Sequence, residues 1–189
     1  YSFSAVQDMD GLIQLHGGKA NLAKKLDQLF SVTSQTTGRD QSDITGLIGQ
    51  YAHGNEPSHH IAYLYNFTGA AYKTQAMVNR IMHEMYKDTP DGLEGNEDCG
   101  QMSAWYVLSA LGFYPVTPGT TDYIIGTPLF SSATINLENG KKFTVKANKA
   151  GNADFYIQSA SLNAVSHSRS YLTHNDINNG GTLAFEMGD

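Results

Sequence analysis

Apolar residues recur at helical spacing through the first part of the chain. Between about residues 10 and 30 they fall three or four positions apart, with a break at Gly17-Gly18 that predicts two short helices. Residues 31–42 are rich in Ser, Thr and Gln, which predicts a loop. The helical period then returns in four segments, at about 43–52, 57–69, 71–86 and 101–111, the last ending at Gly112.

Beyond about residue 117 the pattern changes to short apolar runs separated by Asn, Gly and Lys, which predicts strands and turns. Asn139-Gly140 predicts a two-residue hairpin turn, because this pair tolerates the positive φ angles that such turns need. The fold class predicted is α+β, with helices in residues 1–120 and antiparallel strands in residues 121–189. Strands are predicted near residues 123–125, 133–137, 143–147 and 155–157.

Composition narrows the class of protein. The chain has 189 residues, 40% of them hydrophobic, which is enough to bury a sizeable core. A net charge of -6 with only 12 Lys and Arg residues argues against a nucleic-acid surface. The sequence contains no apolar run long enough to predict a membrane span, and the single Cys99 excludes an internal disulfide. Because the chain opens at Tyr1 in apolar sequence, we expect it to be a piece of a longer protein.

The run from Gly95 to Gln101 places two adjacent carboxylates, Glu97 and Asp98, at the start of a predicted helix. Asp98 followed three residues later by Gln101 fits a capping box, which is the simplest interpretation of a lone Asp at this position. Capping does not require Glu97, however, and flanking glycines let a substrate approach the main chain closely. An ionised carboxylate at a helix N-terminus also suits a general base or a nucleophile.

A second polar run extends from His53 to His60. Asn55 and Glu56 offer oxygen ligands of the kind that Ca²⁺ prefers, although a polar helix cap with surface histidines is an equally good interpretation. A zinc site built on the histidines is disfavoured, because their spacing is not the His-Glu-x-x-His pattern that places two imidazoles one turn apart. Trp105 offers a ring that stacks on sugars, although aromatic residues at helical spacing more often belong to the core.

Taken together, these motifs resemble glycoside hydrolase family ninety-two, the calcium-dependent exo-α-mannosidases. The similarity continues beyond the two polar runs through residues 102–106, 110–116, 125–130, 156–159 and 173–177. The resemblance implies the C-terminal part of an (α/α)6 toroid followed by the antiparallel strands of a β-sandwich-like region. It also implies an active site between the two, inverting hydrolysis of terminal α-mannosidic linkages, α-1,2 above all, in mannose-rich glycans, and a secreted, periplasmic or cell-surface location.

The resemblance implies roles for individual residues. Asp98 corresponds to the general base, with Asn96 and Glu97 supporting it or the sugar. Asn55 and Glu56 correspond to the Ca²⁺ loop, and the substrate contacts correspond to His53, Glu56, Asp8 and Trp105. Some members carry Asp at the position of Asn96, which leaves the arrangement around the base open. Val6-Gln7 replaces a commoner Pro-His pair before Asp8, and this difference leaves linkage preference open.

The family's general acid is a Glu that precedes the position of Tyr1. We therefore expect the isolated chain to be inactive and to associate with the missing N-terminal part of the same protein. The alternative that remains open is a mannose-binding protein without turnover.

Overall fold

The computed structural model describes residues 2–35, 37, 44–151 and 154–189. Helix α1 spans Met9–Leu15 and α2 spans Lys19–Ser31. Gly17 and Gly18, at φ 76° and 108°, separate the two helices, as the sequence predicted. The predicted loop at residues 31–42 lies largely outside the described residues.

The helix predicted at residues 43–52 is wrong. The structure has two short antiparallel strands there, β1 (Leu47–Ile48) and β2 (Tyr51–Ala52). The turn between them packs tightly against the end of α2, since a Cβ on Gly49 would lie 2.2 Å from the carbonyl oxygen of Leu29. The N–H of Gln50 donates to that same oxygen at 2.8 Å, and this tertiary contact favours the hairpin over the helix.

The predicted helix at residues 57–69 is divided into three short helical segments. Two 3₁₀ turns, Glu56–Ser58 and Ile61–Leu64, precede helix α3 (Tyr65–Thr68), which ends at Gly69 in the left-handed conformation. Main-chain bonds in the turns span three residues, as in the 3.0 Å bond from the N–H of His59 to the carbonyl oxygen of Glu56.

Two longer helices confirm the apolar period that predicted them. Helix α4 spans Ala71–Glu84, and α5 spans Gln101–Leu111. Helix α5 ends at Gly112, where a φ of 100° allows the N–H to bond back to the carbonyls of Leu108 and Ser109. Among the described helices, none is long and apolar enough to cross a membrane.

A three-stranded antiparallel sheet connects the helical and β-rich parts. It contains β3 (Phe113–Tyr114), β4 (Asp122–Ile125) and β9 (Tyr171–Thr173), in the order β3-β4-β9. Because β3 directly follows α5 and pairs with β4, this sheet runs across the position where the sequence placed the domain boundary. The short helix α6 (His174–Asn178) follows β9 and begins with a capping box formed by Thr173 and Asp176.

The second sheet has five strands in the order β5-β6-β10-β7-β8. The predicted all-antiparallel arrangement is wrong at one pair, because β10 enters between β6 and β7 and runs parallel to β6. The β5–β6 hairpin confirms the turn position but has a three-residue loop, in which only Gly140 adopts a positive φ. The strands are β5 (Ser132–Asn136), β6 (Lys142–Asn148), β7 (Tyr156–Leu162), β8 (Val165–Ser166) and β10 (Gly181–Gly188).

Apolar side chains form two cores. The helical core is centred on Trp105, and the sheet core on Phe143 and Phe185, all 0% exposed. Two amides on the helical side join the parts: Asn66 Nδ2 donates to the carbonyl of Ile125 at 3.0 Å, and Gln75 Oε1 accepts from the N–H of Ile157 at 3.0 Å. The helices and both sheets therefore form a continuous framework around the polar loops.

Candidate active site

Three loop segments meet where no side chain fits. The N–H of Gly54 donates to the carbonyl of Thr45 at 3.2 Å, which aligns the segment after β2 with the segment before β1. A Cβ on Gly54 would lie 2.0 Å from Thr45 Oγ1 and 2.9 Å from the carbonyl oxygen of Glu94. A Cβ on Gly95 would lie 2.9 Å from the same Oγ1. The absence of side chains at these two glycines therefore brings both predicted polar runs together.

Asp98 does not cap α5, which corrects the capping box predicted from the sequence. Asp98 and Cys99 adopt left-handed φ angles of 54° and 57°, and Gly100 at the N-cap makes no side-chain cap bond. Glu97 occupies the helix N-terminus instead: one carboxylate oxygen accepts from the N–H of Ser103 at 3.2 Å and the other accepts from the N–H of Gly100. Hydrogen bonds from Ser103, and then from Gly100, hold the pKa of Glu97 below its usual range.

The side chain of Asp98 reaches the other polar run. It lies beside the carboxyl group of Glu56, the first residue of the 3₁₀ turn Glu56–Ser58. Glu56's own main-chain N–H, followed by the neighbouring Asp98 side chain, lowers the pKa of Glu56. Two neighbouring carboxylates repel unless they share a proton or a cation, so the pair favours positive charge between them.

The donors around this pair suit a hard cation. Asn55 immediately precedes Glu56, and with Asp98 these residues provide carboxylate and amide oxygens, the ligands that Ca²⁺ prefers. Within the described ranges, however, no group of three or more His, Cys, Asp or Glu side chains is arranged to hold a metal ion. Any cation here would therefore need main-chain carbonyls, sugar hydroxyls or water as further ligands.

The three histidines of the run from His53 to His60 are buried in the protein interior. His53 is 0% exposed, with Tyr51 Oη 2.7 Å from its Nδ1 and Tyr86 Oη 2.6 Å from its Nε2. Because the Tyr86 hydroxyl donates to the carbonyl of Met102, it accepts from His53, which places the imidazole proton on Nε2. Burial, and secondarily the neighbouring His59, lower the pKa of His53 to about 3. This ring, predicted to contact substrate, lies beneath the loops.

The rings of His59 and of Trp105, a residue of helix α5, both pack against the ring of His53. His59 Nε2 lies 3.0 Å from the carbonyl of His53, and Trp105 Nε1 donates to the carbonyl of His59 at 3.0 Å. His60 makes a separate contact, with its Nε2 2.6 Å from the carbonyl of Phe3. His53 and His59 use both ring nitrogens in contacts within the protein, so neither has a nitrogen left for a zinc ion.

A cleft of about 270 Å³ opens beside Glu56. His59, His60 and Tyr114 line its wall next to the carboxylate. Of the other predicted site residues, Asn96 is exposed, whereas Trp105 is fully buried. Asp8 is exposed and caps α1 by accepting from the N–H of Gly11 at 2.8 Å, and it does not line this cleft.

Sequence reasoning missed four residues that organise the site. Thr45 fills the space that the glycines leave, Tyr51 and Tyr86 bind His53, and Gln101 contacts His59. Thr45, Tyr86 and Gln101 each contact a polar-run residue more than 30 positions away, so no local pattern could have marked these contacts, whereas Tyr51 lies two residues before the His53 that it contacts. Gln101 belongs to the run from Gly95 to Gln101 that the sequence singled out, but there it was assigned to a helix cap with Asp98.

The Glu56 carboxylate borders a cleft that Tyr114 also lines, and Asp98 lies beside Glu56. Carboxylates at the edge of a cleft are what glycoside hydrolases use for catalysis. The whole chain, residues 1–189, matches the glycosyl hydrolase family 92 catalytic domain. The chain belongs to this family, which confirms the resemblance seen in its sequence.

Individual relatives agree. The chain is 42% identical to a family GH92 α-mannosidase from Bacteroides thetaiotaomicron solved in complex with mannoimidazole, with a TM-score of 0.91 over 97% of this chain and 24% of that one. It is 38% identical to a family GH92 inverting mannosidase from Bacteroides thetaiotaomicron VPI-5482, with a TM-score of 0.84 over 99% of this chain and 26% of that one. A protein from Arthroderma benhamiae described as an uncharacterized secreted glycosidase is 30% identical over 98% of this chain and 22% of its own length. The chain thus spans about a quarter of the length of these relatives.

Proposed function

We propose that the protein containing this chain is an inverting, Ca²⁺-dependent exo-α-mannosidase that releases terminal mannose, from α-1,2 linkages above all. The names of the relatives support the substrate class and the inverting outcome. Residues 1–120 would form the last part of an (α/α)6 toroid, and residues 121–189 the strands of a β-sandwich-like region. The secreted relative supports export of this protein, to the medium, the periplasm or the cell surface.

The observation that carries the proposal is that the two adjacent carboxylates, Glu97 and Asp98, make different contacts. Glu97 is held by two main-chain N–H groups at the start of α5, whereas Asp98 turns away from the helix towards Glu56. Asp98 is therefore the better general base of the two, because Glu97 is held at the helix terminus whereas Asp98 lies beside Glu56, which lines the cleft.

Inverting hydrolysis requires a base that deprotonates water on one face of the sugar and an acid that protonates the leaving oxygen on the other. Asp98 would accept the proton of the water that attacks the anomeric carbon. The acid would come from the part of the protein outside this chain, typically about 6.5 to 9.5 Å from the base. For this reason, we propose that the chain alone has little or no activity.

Asn55 and Glu56 would hold Ca²⁺ at the mouth of the cleft. The bound ion would supply flexible, oxygen-rich coordination for sugar hydroxyls. Because Glu56 and Asp98 lie side by side, Glu56 would fix the sugar through the ion while Asp98, next to it, would hold the attacking water.

The test is mannose release from α-linked mannobioses by the full-length parent, first with Ca²⁺, then with excess EGTA, then with Ca²⁺ restored. We expect activity to disappear with EGTA and to return with Ca²⁺. Asp98→Asn should lose at least about 10²-fold in kcat. The backbone should tolerate this change, because Asn adopts the left-handed conformation as readily as Asp does.

Asp91→Asn is the matched control, since Asp91 is an exposed residue of the same loop. It should retain wild-type kcat. A folded parent that releases no mannose from any linkage, yet binds mannose, would favour the alternative of a binding protein. Near-normal turnover by Asp98→Asn would remove Asp98 from the role of base.

A further inference from the structure

Gln101, the first residue of α5, is connected by hydrogen bonds to the main chain of both Asp98 and Glu56. Its main-chain N–H donates to the carbonyl of Asp98 at 3.2 Å, and its side-chain Nε2 lies 3.0 Å from Nδ1 of His59. The main-chain N–H of His59 in turn donates to the carbonyl of Glu56 at 3.0 Å. Three consecutive hydrogen bonds therefore connect Asp98 with Glu56 through Gln101 and His59.

The donors and acceptors in this connection are fixed by their neighbours. His59 Nε2 faces the carbonyl of His53, which can only accept, so Nε2 carries the proton and Nδ1 is an acceptor. Gln101 must therefore present its amide NH₂ to His59. The same nitrogen donates to the hydroxyl of Tyr114 at 3.2 Å, so both amide hydrogens are used.

The position of His59 is fixed from the opposite side as well. Trp105, one turn further along α5 and 0% exposed, donates to the carbonyl of His59 at 3.0 Å. Two side chains of helix α5, those of Gln101 and Trp105, thus form hydrogen bonds with His59 at the end of the 3₁₀ turn that carries Glu56. Of these two contacts, Gln101 is the one that also bonds to Asp98.

We propose that Gln101 is a positioning residue that sets the separation between Asp98 and Glu56, a role that rests on the proposed mannosidase function. It acts through His59 and through the main chain of Asp98. Without its amide, Nδ1 of His59 loses its donor, and of the two hydrogen bonds from α5 described above only that from Trp105 to the carbonyl of His59 remains. Misplacement of reacting groups by about 1 Å is enough to cost on the order of 10²-fold in rate.

The experiment is a double-mutant cycle in the full-length parent, with kcat and KM measured for an α-linked mannobiose. Gln101→Met keeps the length of the side chain and removes the amide. We expect it to lower kcat by about 10- to 100-fold, with KM changed by less than about threefold. In an Asp98→Asn background the same change should cost less than about threefold, because the separation of the two carboxylates no longer affects the rate once the base has been removed.

Ser109→Ala is the control for a merely structural effect. Ser109 lies on the same helix and its hydroxyl forms a buried hydrogen bond of 2.8 Å with Tyr63, away from both carboxylates. We expect this variant to lower the melting temperature of the parent and to leave kcat within about twofold of wild type.

The outcomes separate the two proposals. An active parent in which Gln101→Met keeps kcat within about twofold, or loses the same factor in both backgrounds, overturns the positioning role alone. A parent that releases no mannose overturns the proposed function and the positioning role together.

Discussion

A single methyl group at Gly54 should pull the two polar loops apart. In the structure a Cβ at this position would lie 2.0 Å from Thr45 Oγ1, whereas real Cβ atoms essentially never approach another heavy atom within 3.0 Å. Opening that contact requires a movement of about 1 Å, the displacement that costs on the order of 10²-fold when it separates catalytic groups. Overpacking of this kind should also cost about 1–3 kcal/mol in the free energy of unfolding.

The assay is kcat for mannose release by the full-length Gly54→Ala parent, with its thermal unfolding recorded alongside. Gly151→Ala is the matched control, because an added Cβ there meets its nearest atom at 3.7 Å, an ordinary contact. The control should match the wild type in both measurements, while Gly54→Ala should lose turnover and stability together.

Thr45→Ala provides the rescue. Thr45 Oγ1 is buried and has no hydrogen-bond partner within the part of the chain that the structure describes, so its removal alone should be nearly neutral. In the double variant the 2.0 Å contact disappears, which leaves 3.3 Å to Cβ of residue 45 and 2.9 Å to the carbonyl oxygen of Glu94, so the main chain at Glu94 has to move by only about 0.1 Å. We therefore expect Thr45→Ala to restore most of the lost kcat. Full activity of Gly54→Ala, or no recovery in the double variant, would refute the steric reasoning.

Two further predictions concern the buried layer beneath the loops. The pKa of His53 is about 3 in the folded protein and 6.5 unfolded, so the unfolded state binds the extra proton between these values. Stability should therefore fall by up to about 1.4 kcal/mol per pH unit as the pH drops below 6.5, and a urea midpoint of the parent that is unchanged between pH 7 and pH 5 would contradict this. Trp105→Phe leaves the carbonyl of His59 without its donor and should cost about 1–3 kcal/mol, measured by thermal unfolding against Tyr106→Phe, a control on the half-buried side of the same helix.

The pattern of apolar residues predicted helices and strands correctly where interactions between neighbours along the chain determine the structure. Helix α4 and helix α5 were predictable because an apolar period of 3.6 continues for three or more turns, and Gly112 supplies the left-handed C-cap. Strand β6 contains the short apolar run at residues 143–147 that predicted it, and in the structure its positions alternate between buried and less buried. The helix expected at residues 43–52 failed for the opposite reason, since the contact of Gly49 with Leu29 is invisible in the local sequence.

The candidate site shows the same division. The two polar runs, their carboxylates and the family to which they belong could all be recognised in the sequence, because the residue types and spacings are distinctive. The roles within the run from Gly95 to Gln101 could not be settled, since the sequence favoured Asp98 as the helix cap and left Glu97 without a structural role. A left-handed turn at Asp98 and Cys99 decides between them by giving the helix terminus to Glu97.

The sequence by itself therefore determined the family of the chain and its longer helices, because both depend on residue types and spacings along the chain. Only the tertiary structure decided that Gly54, Gly95 and Thr45 pack together, and that Gln101 reaches His59 across 42 positions. Such contacts depend on the path of the main chain in three dimensions, where a missing Cβ or one amide hydrogen fixes the separation of Asp98 and Glu56.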